Sequence, residues 1–114
     1  MFIVDSILNK NELLDICKVK MDDNLIKGVI DLGTERIALD APLHVDLESM
    51  FLEKGAEQAD LWGFNLYPNE EDDDDFIEYD SMINLRPWQN NRSRGIVDIK
   101  TQERVKEVIY KWIK

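Results

Sequence analysis

The chain has 114 residues, 44% hydrophobic and 33% charged, the composition of one globular domain spanning 1–114. Its 14 basic and 24 acidic residues leave a net charge of -10, which argues against nucleic acid and anionic membrane surfaces as partners. No apolar run approaches the roughly 20 residues of a membrane span. The start, MFIVDSILNK, has no basic stretch leading into a long apolar one, so no secretory signal is expected. The single cysteine, Cys17, cannot form an internal disulfide, which fits a cytoplasmic protein.

The charge is uneven. Residues 1–85 carry 6 basic and 21 acidic side chains, a net of -15; residues 86–114 carry 8 basic and 3 acidic, a net of +5. Such an asymmetry can balance itself within the fold, or it can mark a local anion site on a repelling body.

MFIVD, residues 1–5, reads as a short strand. Asn9 opens a helix: Asn9 and Glu12 have capping-box spacing, and Leu8 and Leu13 have the spacing of a hydrophobic staple. Leu13, Ile16 and Cys17 share one face, so Cys17 reads as a core side chain. Asp22, Asp23 and Asn24 end the pattern. LIKGVIDL and ERIALD read as a hairpin around Gly33-Thr34, a two-residue turn of type II′. That register places Ile30 opposite Ile37, Gly28 opposite Leu39, Asp31 opposite Arg36 and Lys27 opposite Asp40. A second helix runs from about Pro42 to Lys54, with Leu43, Leu47, Met50 and Phe51 along one side and Gly55 as its stop.

Asp60 to Tyr67 reads as a strand with Trp62, Phe64 and Leu66 on one face. The loop PNEEDDDD follows, and then a long strand from Phe76 to Arg86. That strand is expected to bury Ile77, Tyr79, Ile83 and Leu85, with Ser81 the polar exception. PWQNNRSRG, residues 87–95, is a second loop. The last helix starts near Asp98 and carries the clearest amphipathic stripe: Val105, Val108, Ile109, Trp112 and Ile113. The order β-α-β-β-α-β-β-α predicts a single α+β domain. Its sheet should be mainly antiparallel or mixed, with helices packed on one face. The other face is then open to water or a ligand.

Candidate chemistry gathers on the hairpin formed by 60–67 and 76–86. If Tyr67 pairs with Phe76, Asn65 faces Glu78 and Gly63 faces Asp80. Asn65, Glu78, Asp80, Asn84 and Arg86 then share one polar surface. Two carboxylates roughly 7 Å apart on one strand face can hold a divalent cation or exchange protons. The loop supplies Asn90, Asn91, Arg92, Ser93 and Arg94 as donors ahead of a helix start, a setting that favours anions. Its arginines can equally pair with the acidic body. Trp88 is either an exposed interface anchor or a lid on the core. The acidic run Glu70 to Asp75 lacks the spacing of an EF-hand and reads as a mobile, solvated hairpin tip, with weak cation binding the alternative.

His44 is the only histidine. A zinc site built from it and Cys17 matches no usual ligand set. Near a helix start it should be neutral, which leaves either a capping role or a base. No nucleophile elbow, Cys-x-x-Cys or His-Glu-x-x-His is present, no Walker loop occurs, and no cofactor or metal is implied.

Four blocks carry a resemblance: Leu43–Asp46, Asp60–Pro68, Phe76–Pro87 and Asn91–Gly95. With them the chain resembles a family of small bacterial and archaeal proteins catalogued as a domain of unknown function. The resemblance implies no activity. It singles out His44, Asp46, Asp60, Trp62, Asn65, Glu78, Asp80, Asn84, Arg86, Asn91, Arg92 and Arg94.

Three readings stay open. The first is a binding or interaction module whose hairpin and 87–95 loop take an anionic small molecule or a partner protein through Asn65, Asn84, Arg86, Asn91, Arg92 and Arg94. The second is a small hydrolase or transferase, with His44, Glu78 and Asp80 as catalytic candidates and arginines as clamps. The third is a homodimer that uses a sheet edge or Trp88.

Overall fold

The computed structural model describes residues 1–20, 24–70 and 72–114. Five strands, β1 (Phe2–Ile3), β2 (Ile26–Asp31), β3 (Arg36–Leu39), β4 (Leu61–Leu66) and β5 (Ile77–Glu78), form one sheet in the order β1-β3-β2-β4-β5. Every pairing is antiparallel. The helices are α1 (Lys10–Lys20), α2 (His44–Glu53), the single turn α3 (Asp73–Phe76) and α4 (Ile99–Trp112). This is an α+β domain. Its radius of gyration, 13.2 Å, is that of one domain of this length. No helix among the described residues is long and apolar enough to cross a membrane.

Local chemistry sets the helix ends. The Asn9 carboxamide oxygen accepts from the Glu12 N–H at 2.8 Å, and Glu12 accepts from the Asn9 N–H at 3.3 Å, completing the capping box. Asp98 caps α4 by accepting from the Thr101 N–H at 3.1 Å. Gly55, with φ 94°, ends α2 in the left-handed region where a side chain would be strained. Asp22 and Asp23, expected to end α1, lie outside the described residues.

The expectation that all helices pack on one face is corrected. Alternation along the strands gives the sheet two apolar faces. Ile30, Ile37, Leu39, Trp62, Phe64 and Leu66 face α1 and α4, meeting Leu13, Cys17, Val105, Val108 and Ile109. Val29, Ala38 and Leu61 face the other way, onto Leu47 and Phe51 of α2. Each fully buried side chain of this kind contributes about 1.5–3 kcal/mol.

The β2–β3 register is the expected one, with Gly28 opposite Leu39, Ile30 opposite Ile37 and Asp31 opposite Arg36. The turn is not type II′. It spans residues 32–35, and Glu35 rather than Gly33 takes positive φ, 55°. Asp31 drives this shape, because its carboxylate accepts from the Gly33 N–H at 2.9 Å and the Thr34 hydroxyl at 2.8 Å. Arg36 turns away from it to donate to the Val4 carbonyl at 2.9 Å.

The long strand 76–86 is also corrected. Pairing holds at Tyr67–Phe76 and at Asn65–Glu78, then the ladder stops. The chain continues through 3₁₀ turns at Met82–Asn84 and Pro87–Gln89. Ser81 is buried, Ile83 joins the α2-side core and Leu85 is exposed. The acidic run is not all loop. Asp72 caps the turn α3 by accepting from the Asp74 N–H at 3.0 Å, and that turn delivers Phe76 to the core. Glu71 lies outside the described residues.

Candidate functional site

Helix α2 covers only part of its sheet face. Its first residue, His44, stands at the border of the uncovered part. There Lys27, Asn65 and Glu78 are successive cross-strand partners on β2, β4 and β5. Cross-strand partners share a face. Together with Tyr67, Asp80 and Arg94 they line a groove of about 490 Å³, with an apolar rim that includes Leu43, Val45 and Met82.

Apart from the Lys27 ammonium, each polar group is held. The Asn65 amide donates to Glu78 Oε1 at 2.9 Å and to the Asp80 carbonyl at 3.2 Å. The Tyr67 hydroxyl donates to the same Glu78 oxygen at 3.0 Å. Arg94 Nε donates to Asp80 Oδ1 at 2.6 Å. His44 Nε2 lies 2.9 Å from the Phe64 carbonyl. A carbonyl only accepts, so Nε2 carries the proton of the neutral ring and Nδ1 keeps a lone pair. Burial pulls the His44 pKa below the usual histidine range, and Lys27 adds to that, against the Phe64 carbonyl, Asn65 and Asp80, which favour the imidazolium. Asn65 is 6% exposed, and its carboxamide oxygen has no hydrogen-bond partner. The neutral ring's one N–H is already used by Phe64. A further bond from His44 to that oxygen therefore requires the protonated ring.

Three of the residues expected to bind a ligand instead build the frame behind the groove. The Asn84 carboxamide accepts from the Gly63 N–H at 2.8 Å and donates to the carbonyls of Gly63, at 3.0 Å, and Arg94, at 2.9 Å. It does the pairing that a neighbouring strand would do. Gly63 faces Ser81 rather than Asp80, and a Cβ built on it would stand 2.5 Å from the Ser81 Cβ.

Asn91 donates to the carbonyls of Asn84 and Gly95, both at 2.7 Å, and accepts from the Val97 N–H at 2.8 Å. Arg86, 1% exposed, donates to the carbonyls of Ile83 at 2.9 Å, Gln58 at 2.8 Å and Leu61, and stacks 4.3 Å over the Trp62 ring. Burial lowers its pKa, while the nearby Glu48 carboxylate supports the charge. These groups bind the 81–97 segment to β4. That is why the segment holds its place with almost no regular structure.

The structure thus brings together His44, Asn65, Glu78, Asp80 and Arg94. It puts Asn84, Arg86 and Asn91 behind them. Arg92 is exposed and does not line the groove. Asp60 lies under the 32–35 turn, Trp62 under Arg86, and Asp46 in the first turn of α2. Trp88 is 73% exposed, so it is not a lid on the core. Sequence reasoning missed Tyr67 and Lys27 as groove residues, although Lys27 stands opposite Asp40 as expected, its carbonyl accepting from the Asp40 N–H at 3.0 Å. Their positions follow from the β2–β4 register, which no local pattern reveals. Among the described residues, no three His, Cys, Asp or Glu side chains come together as around a metal ion.

Fold and groove define an antiparallel α+β domain with a preorganised polar cleft beside a helix start. The chain belongs to a family described as a protein of unknown function (DUF5674), whose model matches residues 2–112. No curated protein and no solved structure matches it.

Proposed function

We propose that the protein is a small cytoplasmic binding module and that the His44–Asn65–Glu78 groove takes a small polar molecule. One observation carries this reading: polar side chains from four separate segments, His44, Asn65 with Tyr67, Glu78 with Asp80, and Arg94, converge there, each fixed by a hydrogen bond, beside the Lys27 ammonium. The four blocks singled out by family resemblance each contribute to it, through His44, Asn65 and Tyr67, Glu78 and Asp80, and Arg94. We read those blocks as the family's functional segments. An anion clamp of arginines has less support, since Arg86 is buried in the frame and Arg94 is paired with Asp80.

The test is a thermal-shift screen of amino acids, amines, carboxylates, phosphates and sugars. At least one class should raise the melting temperature of the wild type. That rise should vanish in Glu78→Ala and in Met82→Trp, which obstructs the groove rim. No hit, or hits indifferent to both variants, would overturn the reading.

A second reading is favoured by the neutral His44 with its lone pair on Nδ1. It is a small hydrolase or transferase in which His44 is the base and Glu78 or Asp80 the acid partner. Hydrolysis of p-nitrophenyl acetate or phosphate that is lost in His44→Ala, with a rate rising through the His44 titration, would favour it over simple binding.

A further inference from the structure

We propose that the groove selects a zwitterion of amino-acid size, with its ammonium at Glu78 and its carboxylate at Lys27. The inference rests on reading the groove as a small-ligand site and names the ligand class.

The charges lining the groove are not equivalent. Asp80 and Arg94 neutralise one another in a direct ion pair. Glu78 is held by neutral donors, the Asn65 amide and the Tyr67 hydroxyl, and among the described residues no cation is bound to its carboxylate. The Lys27 carbonyl accepts from the Asp40 N–H, but its ammonium has no hydrogen bond or ion pair among the described residues, and its side chain lines the same groove. His44 adds no charge while its ring is neutral. Two unneutralised groups of opposite sign therefore remain. They lie on one sheet face, one strand to either side of Asn65, with Cα atoms roughly 10 Å apart by strand spacing.

A lone anion attracted by Lys27 would face Glu78, and a lone cation attracted by Glu78 would face Lys27. A ligand carrying both charges meets the opposite sign at each end. The apolar rim of Leu43, Val45 and Met82 gives an aliphatic side chain a place to rest.

His44 supplies the readout, because a chain with one histidine gives one imidazole Hε1 resonance in the proton NMR spectrum. That resonance is followed at pH 7 while the folded protein is titrated with L-leucine, with leucinamide, which is cationic only, and with N-acetylleucine, which is anionic only. Leucine is expected to move it saturably, with either analogue roughly tenfold weaker or more, the worth of one charge-assisted contact. Lys27→Met and Glu78→Gln, checked for folding by circular dichroism, are each expected to weaken leucine by a similar factor.

An analogue that binds as well as leucine, or a variant that binds leucine like the wild type, overturns the zwitterion assignment. So does a resonance that leucine leaves unmoved. If the broad thermal-shift screen finds another ligand sensitive to Glu78→Ala and Met82→Trp, the groove reading stands while the zwitterion falls.

Discussion

Three side chains show how residue type decides role in this fold. Asn84 gives one acceptor and two donor hydrogens to three backbone groups, a pattern no other side chain of its size reproduces. Asn84→Asp keeps the shape but turns an oxygen toward two carbonyls. It should cost about 3 kcal/mol or more in urea unfolding, at least as much as Asn84→Ala. Arg86→Lys should also cost about 3 kcal/mol in the same measurement, because an ammonium cannot span the Ile83, Gln58 and Leu61 carbonyls while stacking on Trp62.

His44 titrates below an unfolded value of about 6.5, so the unfolded chain binds its proton first. Its contribution to stability is therefore full above that value and is lost as pH falls toward the folded pKa. An NMR titration should place the midpoint below 6.5, and His44→Gln should lose less stability than wild type between pH 7.5 and pH 5.

At the scale of elements, the sequence spoke clearly wherever a pattern was periodic or a cap was local. The capping box at Asn9, the Asp98 cap, the apolar stripe of α4 and the β2–β3 register could all be read from neighbouring residues. The segment after Glu78 could not. Its alternating Ile77, Tyr79, Ile83 and Leu85 imitate a strand, but Asn84 and Arg86 satisfy the β4 backbone with side chains instead of a ladder. Such substitution leaves no periodic trace, so His44, Asn65, Glu78, Asp80 and Arg94 were legible as candidates while Asn84, Arg86 and Asn91, which stand behind the groove, were grouped with them. Helix placement failed for a related reason: Val29, Ala38 and Leu61 make a second, smaller apolar face that the bulkier first one hides. Gly63→Ala tests the frame, since the new methyl must displace Ser81. We expect it to cost about 1–3 kcal/mol in thermal unfolding and to broaden the amide resonances of 81–97.

For the whole molecule, part of the charge asymmetry is met by contacts within the fold. Lys111 pairs with Glu35 and Arg94 with Asp80, and Arg104 donates to the Leu32 carbonyl at 3.0 Å, so three basic side chains of the C-terminal quarter are tied to the rest of the domain. The chain carries a net -10, and six of its acidic residues follow one another from Glu70 to Asp75. Self-repulsion of that kind weakens with salt. The melting temperature should rise between 20 mM and roughly 300 mM sodium chloride, where the screening length shrinks severalfold. Asp74→Asn/Asp75→Asn should flatten the rise.

One contact ties the two ends of the sequence together. The Leu8 N–H donates to the Trp112 carbonyl, and the Lys114 N–H to the Leu8 carbonyl, both at 2.8 Å, a parallel bridge between residues 8 and 113. In the order of synthesis β1, α1, β2 and β3 all precede α4, so only α1 can cover the shared sheet face until α4 is made. Until Val105, Val108 and Ile109 emerge, Ile30, Ile37 and Leu39 keep part of an oily face turned to solvent. Folding is thus a late, closing event in synthesis, and the nascent chain is most exposed to chaperones and to aggregation just before its last two turns of helix appear.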